Sequence, residues 1–257
     1  MNEKGQPLIS VITPTYNAEK YIEETIRSVQ KQTYQEWEMI IVDDCSTDQT
    51  LRIIKEFANL DSRIKVYKQK KNQGAGHARN KALSISDGRF VAFLDSDDQW
   101  RPNKLEKQLK FMLDNNYAFT YTGYDRLQLN DQGALETKTV HVPKEATYHK
   151  LLKKNVIGCL TVMIDRNQTG PIQMLDIRRR QDYALWLELT RTGFKAYGLT
   201  DSLALYRVRV DSISSNKLSV AKQNWRVYRE VEKLSLPVAI WYFMHYAVLK
   251  TLEYINY

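Results

Sequence analysis

The chain has 257 residues, 43% of them hydrophobic, so it can bury a full core as one large domain or two smaller ones. No low-complexity tract and no repeat of solenoid period is present, which argues against a disordered chain or a repeat protein. The formal net charge of +8 favours anionic partners such as nucleotides, nucleic acid or an anionic membrane face. Nucleic acid is the weaker choice, because no nucleic-acid-binding motif appears and the aromatic residues do not alternate with basic ones.

The first hundred residues alternate short apolar strands with helical segments. We predict strands at 8–13, 39–42, 64–68 and 89–94, and helices at 18–32, from the capping residues 46–48 through 57, and around 77–84. The strands are continuously apolar instead of alternating, which is typical of a parallel sheet covered by helices on both faces.

The pattern changes after Pro102. A helix is predicted at 104–115, followed by strands at 118–124 and 138–142 on either side of a polar turn at 130–133. A further helix at 182–192 ends at Gly193, which suits a left-handed C-terminal cap. Two short strands at 195–198 and 203–208 and a helical last forty residues complete the prediction.

Three acidic residues follow the fourth strand within four positions: Asp95, Asp97 and Asp98. Carboxylates this close repel one another unless a cation lies among them, and oxygen-only ligands suit Mg²⁺ or Mn²⁺. A metal held there would bridge a diphosphate and stabilise it as a leaving group. The plainer interpretation is a solvated acidic turn before the next helix.

Polar residues also follow the first two strands, and right-handed crossovers bring such strand ends to one edge of a parallel sheet. Tyr16 could stack on a flat base, and Asp44 could accept the ring N–H of uracil or guanine. Arg79 follows a glycine-containing loop and could hold phosphate oxygens. Taken singly, each has a plainer role, as a partly buried aromatic, a turn residue or a surface helix residue.

Four segments resemble the GT-A-fold family 2 glycosyltransferases: 11–17, 42–48, 76–80 and 93–98. The resemblance implies an α/β fold with a mainly parallel central sheet flanked by helices, here with a C-terminal helical extension. It further implies a nucleotide-sugar donor, usually a UDP-sugar, a divalent metal at the Asp-x-Asp element, and inversion at the anomeric carbon. Carried over, the nucleotide contacts would be Thr15, Tyr16, Asp44, Arg79 and Asp95, and the metal ligands Asp97 and Asp98.

The second half resembles the family at 182–189, where an acidic residue at the helix start is the usual general base. Asp182 is the predicted base, and the partial positive charge of a helix N-terminus stabilises a carboxylate there. The plainer alternative is a helix cap. Gln181 stands where the family often has a second acid, and Arg209 where it often has His. We expect Gln181, Arg207 and Arg209 as candidate diphosphate or acceptor contacts.

The C-terminal segment combines basic residues at 217–233 with an apolar, aromatic run at 238–249. That run is shorter than the roughly 20 residues of a spanning helix, and its composition suits interfacial binding to an anionic leaflet. Packing on the catalytic domain or on a second subunit is the alternative, so a homo-oligomer stays open. Two cysteines and a polar N-terminus without an apolar signal core lead us to expect a cytoplasmic protein.

We therefore expect a nucleotide-sugar-binding half at 1–100, an acceptor-binding half at 101–215 and a helical, membrane-interfacial segment at 216–257. The predicted function is metal-dependent inverting transfer from a UDP-sugar to a glycan or lipid-linked acceptor in surface polysaccharide synthesis. A nucleotidyltransferase on a similar fold is the main alternative. A receiver-like phosphoacceptor module and a catalytically silent glycan-binding protein are two others.

Overall fold

The computed structural model describes residues 5–129, 135–208 and 217–255. Its first half alternates strands and helices as predicted: β1 (Ile9–Thr15), α1 (Ile22–Gln30), β2 (Trp37–Asp43), α2 (Thr50–Leu60), β3 (Ile64–Lys68), α3 (Ala75–Ser84) and β4 (Phe90–Phe93). Every residue of β1, β2 and β4 is buried, which explains their continuous apolar sequence. These four strands pair in parallel in the order β3-β2-β1-β4.

The second half extends the same sheet with shorter and partly antiparallel elements. They are β5 (Gln99–Trp100), α4 (Lys104–Asn115), β6 (Phe119–Leu129), β7 (Leu135–Val140), β8 (Glu145–Ala146), α5 (Tyr148–Lys153), β9 (Met163–Asp165), α6 (Arg166–Thr169), α7 (Gln181–Arg191), β10 (Ala196–Arg207), α8 (Lys217–Arg226) and α9 (Leu236–Ile255). The sheet continues from β4 through β9, β6 and β10 to β5. Strand β9 is antiparallel to both of its neighbours.

Several element boundaries differ from the prediction. The two strands expected at 195–198 and 203–208 are one strand, β10, whose pairing with β6 is irregular between Leu199 and Ala204. The short elements β9 and α5 were not predicted, because three to six residues carry too little periodicity. Gly193 has the expected positive φ of 108° after α7. The predicted turn at 130–133 lies outside the described residues.

Two apolar clusters cover the two faces of the sheet. One contains β1 residues such as Val11 together with α1 and α4 residues such as Ile26 and Leu105. The other contains Ile12 of β1, Trp186 of α7 and Ala239 of α9. The prediction of a sheet covered on both faces is thus confirmed, and the C-terminal helix shares the second of these clusters.

Candidate active site

The loops after β1 and β2 are joined to each other at the carboxyl edge of the sheet. The Asp44 amide donates to the Thr15 carbonyl at 2.8 Å, and the Asn17 amide donates to Ser46 Oγ at 3.0 Å. Thr15 is buried, with no hydrogen-bond partner for its hydroxyl among the described residues, whereas Tyr16 is 50% exposed. Half of the Tyr16 side chain is therefore open to a stacking partner.

Asp44 holds the loop that leads into α3. Its Oδ1 accepts from the Gln73 amide at 2.8 Å and from Gln69 Nε2 at 2.9 Å, and its Oδ2 accepts from the Gly74 amide at 2.7 Å. Gly74, at φ 92°, adopts a conformation that glycine allows at little cost. A carboxylate has about four acceptor positions, so Oδ2 keeps one for a further donor.

Arg79 lies in the middle of α3 and is only 5% exposed. Its Nη2 donates to Asp95 Oδ1, which binds α3 to the end of β4. Burial alone would lower the Arg79 pKa, but the negative charge of Asp95 and, further on, of Asp182 holds it above its ordinary value. Its Nε is buried without a hydrogen-bond partner in the described parts of the chain. Arg79 thus faces carboxylates from both halves of the protein.

The acidic run after β4 is held by Arg207, the last residue of β10, which also contacts α1. The Asp98 carboxylate accepts from the Arg207 amide at 2.9 Å, and the Asp97 carbonyl accepts from Arg207 Nε at 3.1 Å. Arg207 Nη2 donates to Glu24 Oε2 of α1 at 2.5 Å. Burial, and then the charges of Asp97 and Asp95, raise the pKa of Asp98 well above its usual range. Arg207 therefore positions the acidic run in this structure.

These carboxylates suit a divalent cation by donor type, since Mg²⁺ and Mn²⁺ prefer oxygen ligands. In the parts of the chain that the structure describes, no three His, Cys, Asp or Glu side chains converge into a metal-binding group. Any cation would therefore be held by one or two of these carboxylates together with substrate oxygens, which is how Mg²⁺ is commonly bound next to phosphates.

The first turn of α7 brings Asp182 to the same place. A Cβ built on Gly76 of α3 would lie 3.5 Å from Gln181 Cγ, so the N-termini of α3 and α7 are in close contact. Asp182 is partly buried, and Gln181 is buried with no partner for Oε1 among the described residues. Burial, and after it the charges of Asp95 and Asp182, raise the pKa of the Cys159 thiol, which lies among these groups.

The segment before α7 is held to α3 by two side chains. Asn80 Nδ2 donates to the Met174 carbonyl at 2.8 Å, and the Met174 amide donates to Asn80 Oδ1 at 2.7 Å. His77 Nε2 lies 2.8 Å from Asp176 Oδ1. Since both Asn80 and Arg79 belong to α3, one helix contacts both the Asp95 carboxylate and the segment that leads to Asp182.

The structure thus brings most of the predicted site residues together. Adjacent strands lie about 4.8 Å apart, so Asp44 after β2 and Asp95 after β4 are separated by two strand spacings along one edge. Arg207 contacts Asp97 and Asp98 in the run that follows β4, and Arg209 lies outside the described residues. Trp186 is fully buried against Phe93 and Phe119, so it packs in the core.

The sequence did not single out Asn80, His77 or Glu24 for a role. Asn80 stands inside the recognised segment 76–80, but its partner segment at 174–176 has no periodic pattern that would reveal the contact. Glu24 is one of several exposed acids on α1, and only the fold shows that it meets Arg207.

Two curated proteins are similar over nearly the whole chain. "Putative teichuronic acid biosynthesis glycosyltransferase TuaG" of Bacillus subtilis (strain 168) is 54% identical over 94% of this chain and 95% of its own. "UDP-Glc:alpha-D-GlcNAc-diphosphoundecaprenol beta-1,3-glucosyltransferase WfgD" of Escherichia coli is 42% identical over 94% of this chain and 93% of its own.

Solved structures share the fold. S. aureus TarS 1-349 in complex with UDP-GlcNAc superposes with a TM-score of 0.70 at 24% identity, covering 93% of this chain and 71% of that one. The mannosyltransferase PcManGT from Pyrobaculum calidifontis, in complex with GDP-Man and Mn²⁺, gives 0.69 at 18% identity, covering 95% and 74%. The fold is GT-A. Residues 10–166 match the family model "Glycosyl transferase family 2", and the chain belongs to this family of glycosyltransferases.

Proposed function

We propose that the protein transfers a sugar from a UDP-sugar to a glycan or lipid-linked acceptor, with inversion at the anomeric carbon. The observation that carries this proposal is the position of Arg79. Its buried guanidinium contacts Asp95 on the donor side and is within electrostatic reach of Asp182 at the start of α7. A donor diphosphate and an acceptor hydroxyl would thus meet around one cationic side chain.

The donor would bind across the ends of β1, β2 and β4. Tyr16 would stack on the base, and the remaining acceptor position of Asp44 would take the N–H of uracil. The Thr15 carbonyl, which accepts from the Asp44 amide, would hold the loops of Tyr16 and Asp44 together. Arg79 with Asp95 would hold the ribose-diphosphate region. A UDP donor is supported by the relative WfgD, 42% identical, whose name specifies UDP-Glc.

A divalent cation, Mg²⁺ or Mn²⁺, would be held by Asp97 and Asp98. When bound, it would neutralise charge on the leaving diphosphate and so favour departure of UDP. Asp98 is already ordered by the Arg207 amide, and Arg207 holds the Asp97 carbonyl. Arg207 therefore acts in this proposal as a positioning residue for the two ligands.

Asp182 would act as the general base. As the acceptor hydroxyl oxygen attacks the anomeric carbon, the bond from that carbon to the UDP oxygen breaks and the hydroxyl proton passes to Asp182. Attack opposite the leaving group inverts the anomeric configuration. The N-terminus of α7 stabilises the carboxylate before the transfer. Gln181, buried against Gly76, would fix the direction of this helix turn.

The acceptor would approach from the half formed by residues 101–215, with the donor in 1–100 and the segment 216–257 beside the acceptor. Arg178, Arg179 and Arg180 precede Asp182 and would attract a phosphorylated acceptor. The names of TuaG and WfgD specify teichuronic acid biosynthesis and a diphosphoundecaprenol-linked acceptor. We extend surface polysaccharide synthesis at the cytoplasmic face of the membrane to this chain as part of the proposal.

A donor screen tests the proposal. Purified enzyme is incubated with individual UDP-sugars, Mn²⁺ and a GlcNAc-diphospho-lipid acceptor, and UDP release is measured. We expect release that requires both donor and acceptor. A nucleotidyltransferase would instead release pyrophosphate from a nucleoside triphosphate and a sugar phosphate, so that reaction is run in parallel. Pyrophosphate release without UDP release would replace the present proposal with the alternative.

A further inference from the structure

Exposed apolar side chains are concentrated on α9. Fourteen large hydrophobic side chains are strongly exposed among the described residues, and eight of them belong to this helix. The eight are Leu236, Val238, Ile240, Trp241, Met244, Val248, Leu249 and Leu252. Single exposed apolar residues are ordinary on protein surfaces, but a contiguous set on one element marks an interaction surface.

The opposite side of α9 is already packed against the protein. Ala239 and Tyr246 are buried, and Tyr242 OH lies 2.7 Å from His149 Nδ1 of α5. Phe243 packs edge-on against Trp225 of α8, with ring centroids 5.5 Å apart. These positions recur every three to four residues, so they form one stripe of the helix. Five of the exposed residues, Ile240, Trp241, Met244, Val248 and Leu252, lie on the other side, and we name them the outer face of α9.

The outer face carries no charge over most of its length. No Asp, Glu, Lys or Arg occurs from Leu236 to Leu249, and Lys250 and Glu253 are confined to the last two turns. Trp241, 59% exposed, lies near the middle with its ring 4.4 Å from that of His245. An uncharged face with an exposed tryptophan suits the boundary between lipid headgroups and acyl chains.

The surroundings of this face are basic. The sequence 217–255 contains six Lys or Arg residues and three Asp or Glu residues, a net charge of +3. The neighbouring α5, with the residue after it, adds Lys150, Lys153 and Lys154 and no acid. Anionic lipids attract such a fringe, with about 1 kcal/mol gained for each basic residue near the surface.

We propose that the outer face of α9 docks on the surface of an anionic lipid bilayer, with the helix lying in the interface. None of the helices in the described residues is both long and apolar enough to cross a bilayer, so α9 would lie on the membrane. A second copy of the chain is the other candidate occupant. Pairing two copies through α9 would bring two equally basic surfaces together, which the charge disfavours.

Docking in this way would orient the candidate active site. Tyr242 of α9 contacts His149 of α5, and Tyr183 OH of α7 donates to the Leu151 carbonyl of α5 at 2.9 Å. Since α7 begins at Gln181 and Asp182, α5 links α9 to the helix of the proposed base through two hydrogen-bonded contacts. This orientation of the active site rests on the proposed function, because it would serve a lipid-linked acceptor. The membrane docking itself does not rest on the proposed function.

Vesicle binding tests the docking without donor or acceptor. The full chain is sedimented with phosphatidylcholine vesicles that do or do not contain phosphatidylglycerol. The test variant combines Trp241→Ser, Met244→Ser and Val248→Ser. The matched control combines Leu60→Ser and Leu113→Ser, which remove exposed apolar side chains from α2 and α4. Circular dichroism and thermal melting establish that both variants are folded.

We expect wild type and control to bind the anionic vesicles, more weakly at high salt, and the triple variant to bind at least about tenfold less. Equal binding by wild type and triple variant, or no binding by wild type, would overturn the proposal. Sedimentation velocity without lipid tests whether a second copy of the chain binds the outer face. A dimer that the triple variant abolishes, with no vesicle binding, would assign the outer face to a second copy. Vesicle binding without UDP release in the donor screen would leave the docking standing and reject the proposed function.

Discussion

Asn80 and Met174, 94 positions apart in the sequence, exchange two hydrogen bonds between the Asn80 amide group and the Met174 backbone. This pair fixes the segment that leads into α7 against the helix that carries Arg79. The Asn80 side chain supplies a donor, Nδ2, for the Met174 carbonyl and an acceptor, Oδ1, for the Met174 amide. Together with the contact between His77 and Asp176, this pair holds the approach to Asp182 against the helix of Arg79.

Replacing Asn80 with Ala should lower turnover without weakening UDP binding. We expect a loss of about 1–3 kcal/mol in unfolding free energy, since two backbone groups lose their partner. We also expect kcat to fall several-fold while the Kd for UDP stays close to wild type, because Arg79 and Asp44 are not altered. Asn115→Ala, which removes one bond within α4, is the control. A proportional loss of UDP affinity and turnover would show that Asn80 supports the whole fold and not the position of α7.

The contact between Gly76 and Gln181 permits a graded test. A Cβ at position 76 would lie 3.5 Å from Gln181 Cγ and 3.6 Å from the Leu175 carbonyl oxygen, which are ordinary contact distances. Gly76→Ala should therefore keep most activity, whereas Gly76→Leu should displace the first turn of α7 and lower kcat at least about tenfold. Kinetics of both variants check this, and equal activity of the two would mean that the helix N-termini need not touch.

Lys104 is a buried cation that the candidate site does not use. It is fully buried at the start of α4, and among the described residues its Nζ has no hydrogen-bond partner and lies 3.8 Å from the centre of the Trp100 ring. Burial lowers its pKa well below the usual 10.5. The unfolded chain then binds more protons than the folded one between the two pKa values, so this residue makes stability rise with pH in that window.

Lys104→Met should accordingly stabilise the protein by on the order of 1 kcal/mol at pH 7, since desolvation of the ammonium costs more than its contact with Trp100 returns. The gain should shrink as the pH is raised from 7 to 9. Lys110→Met, at an exposed pair with Asp114, should change stability little. Chemical denaturation at several pH values measures both, and a Lys104→Met variant less stable than wild type would refute the prediction.

Metal removal tests the role of the acidic run. Dialysis against a chelator should stop sugar transfer, and adding back Mn²⁺ or Mg²⁺ should restore it. Asp97→Asn should raise the metal concentration needed for half-maximal activity, because one anionic ligand is lost. Asp114→Asn, on the exposed side of α4, should leave that concentration unchanged. Unaltered turnover in chelator would show that sugar transfer does not require a divalent metal.

The first half of the molecule could be predicted from its sequence because each element carries its own local signal. β2 and β4 are continuous apolar runs, and Asp44 and Asp95 follow strand ends that a parallel sheet must bring to one edge. The candidate nucleotide contacts could be predicted for the same reason.

The second half was less predictable because its structure depends on distant partners. β9 has three residues and is defined by pairing with β4 and β6, and the irregular pairing of β10 with β6 made one strand resemble two. Arg207 is a candidate diphosphate or acceptor contact, and its guanidinium also reaches Glu24, 183 positions away. No local pattern encodes such contacts.

We propose that Asp182 removes the proton from the acceptor hydroxyl, at a site beside α3, the helix that carries Arg79. Transfer by Asp182→Asn, measured as UDP release with acceptor, is the most direct test, together with the Kd for UDP by calorimetry. We expect a fall in kcat of at least about 10²-fold with UDP affinity retained. Transfer at the wild-type rate in the folded Asp182→Asn variant would contradict it.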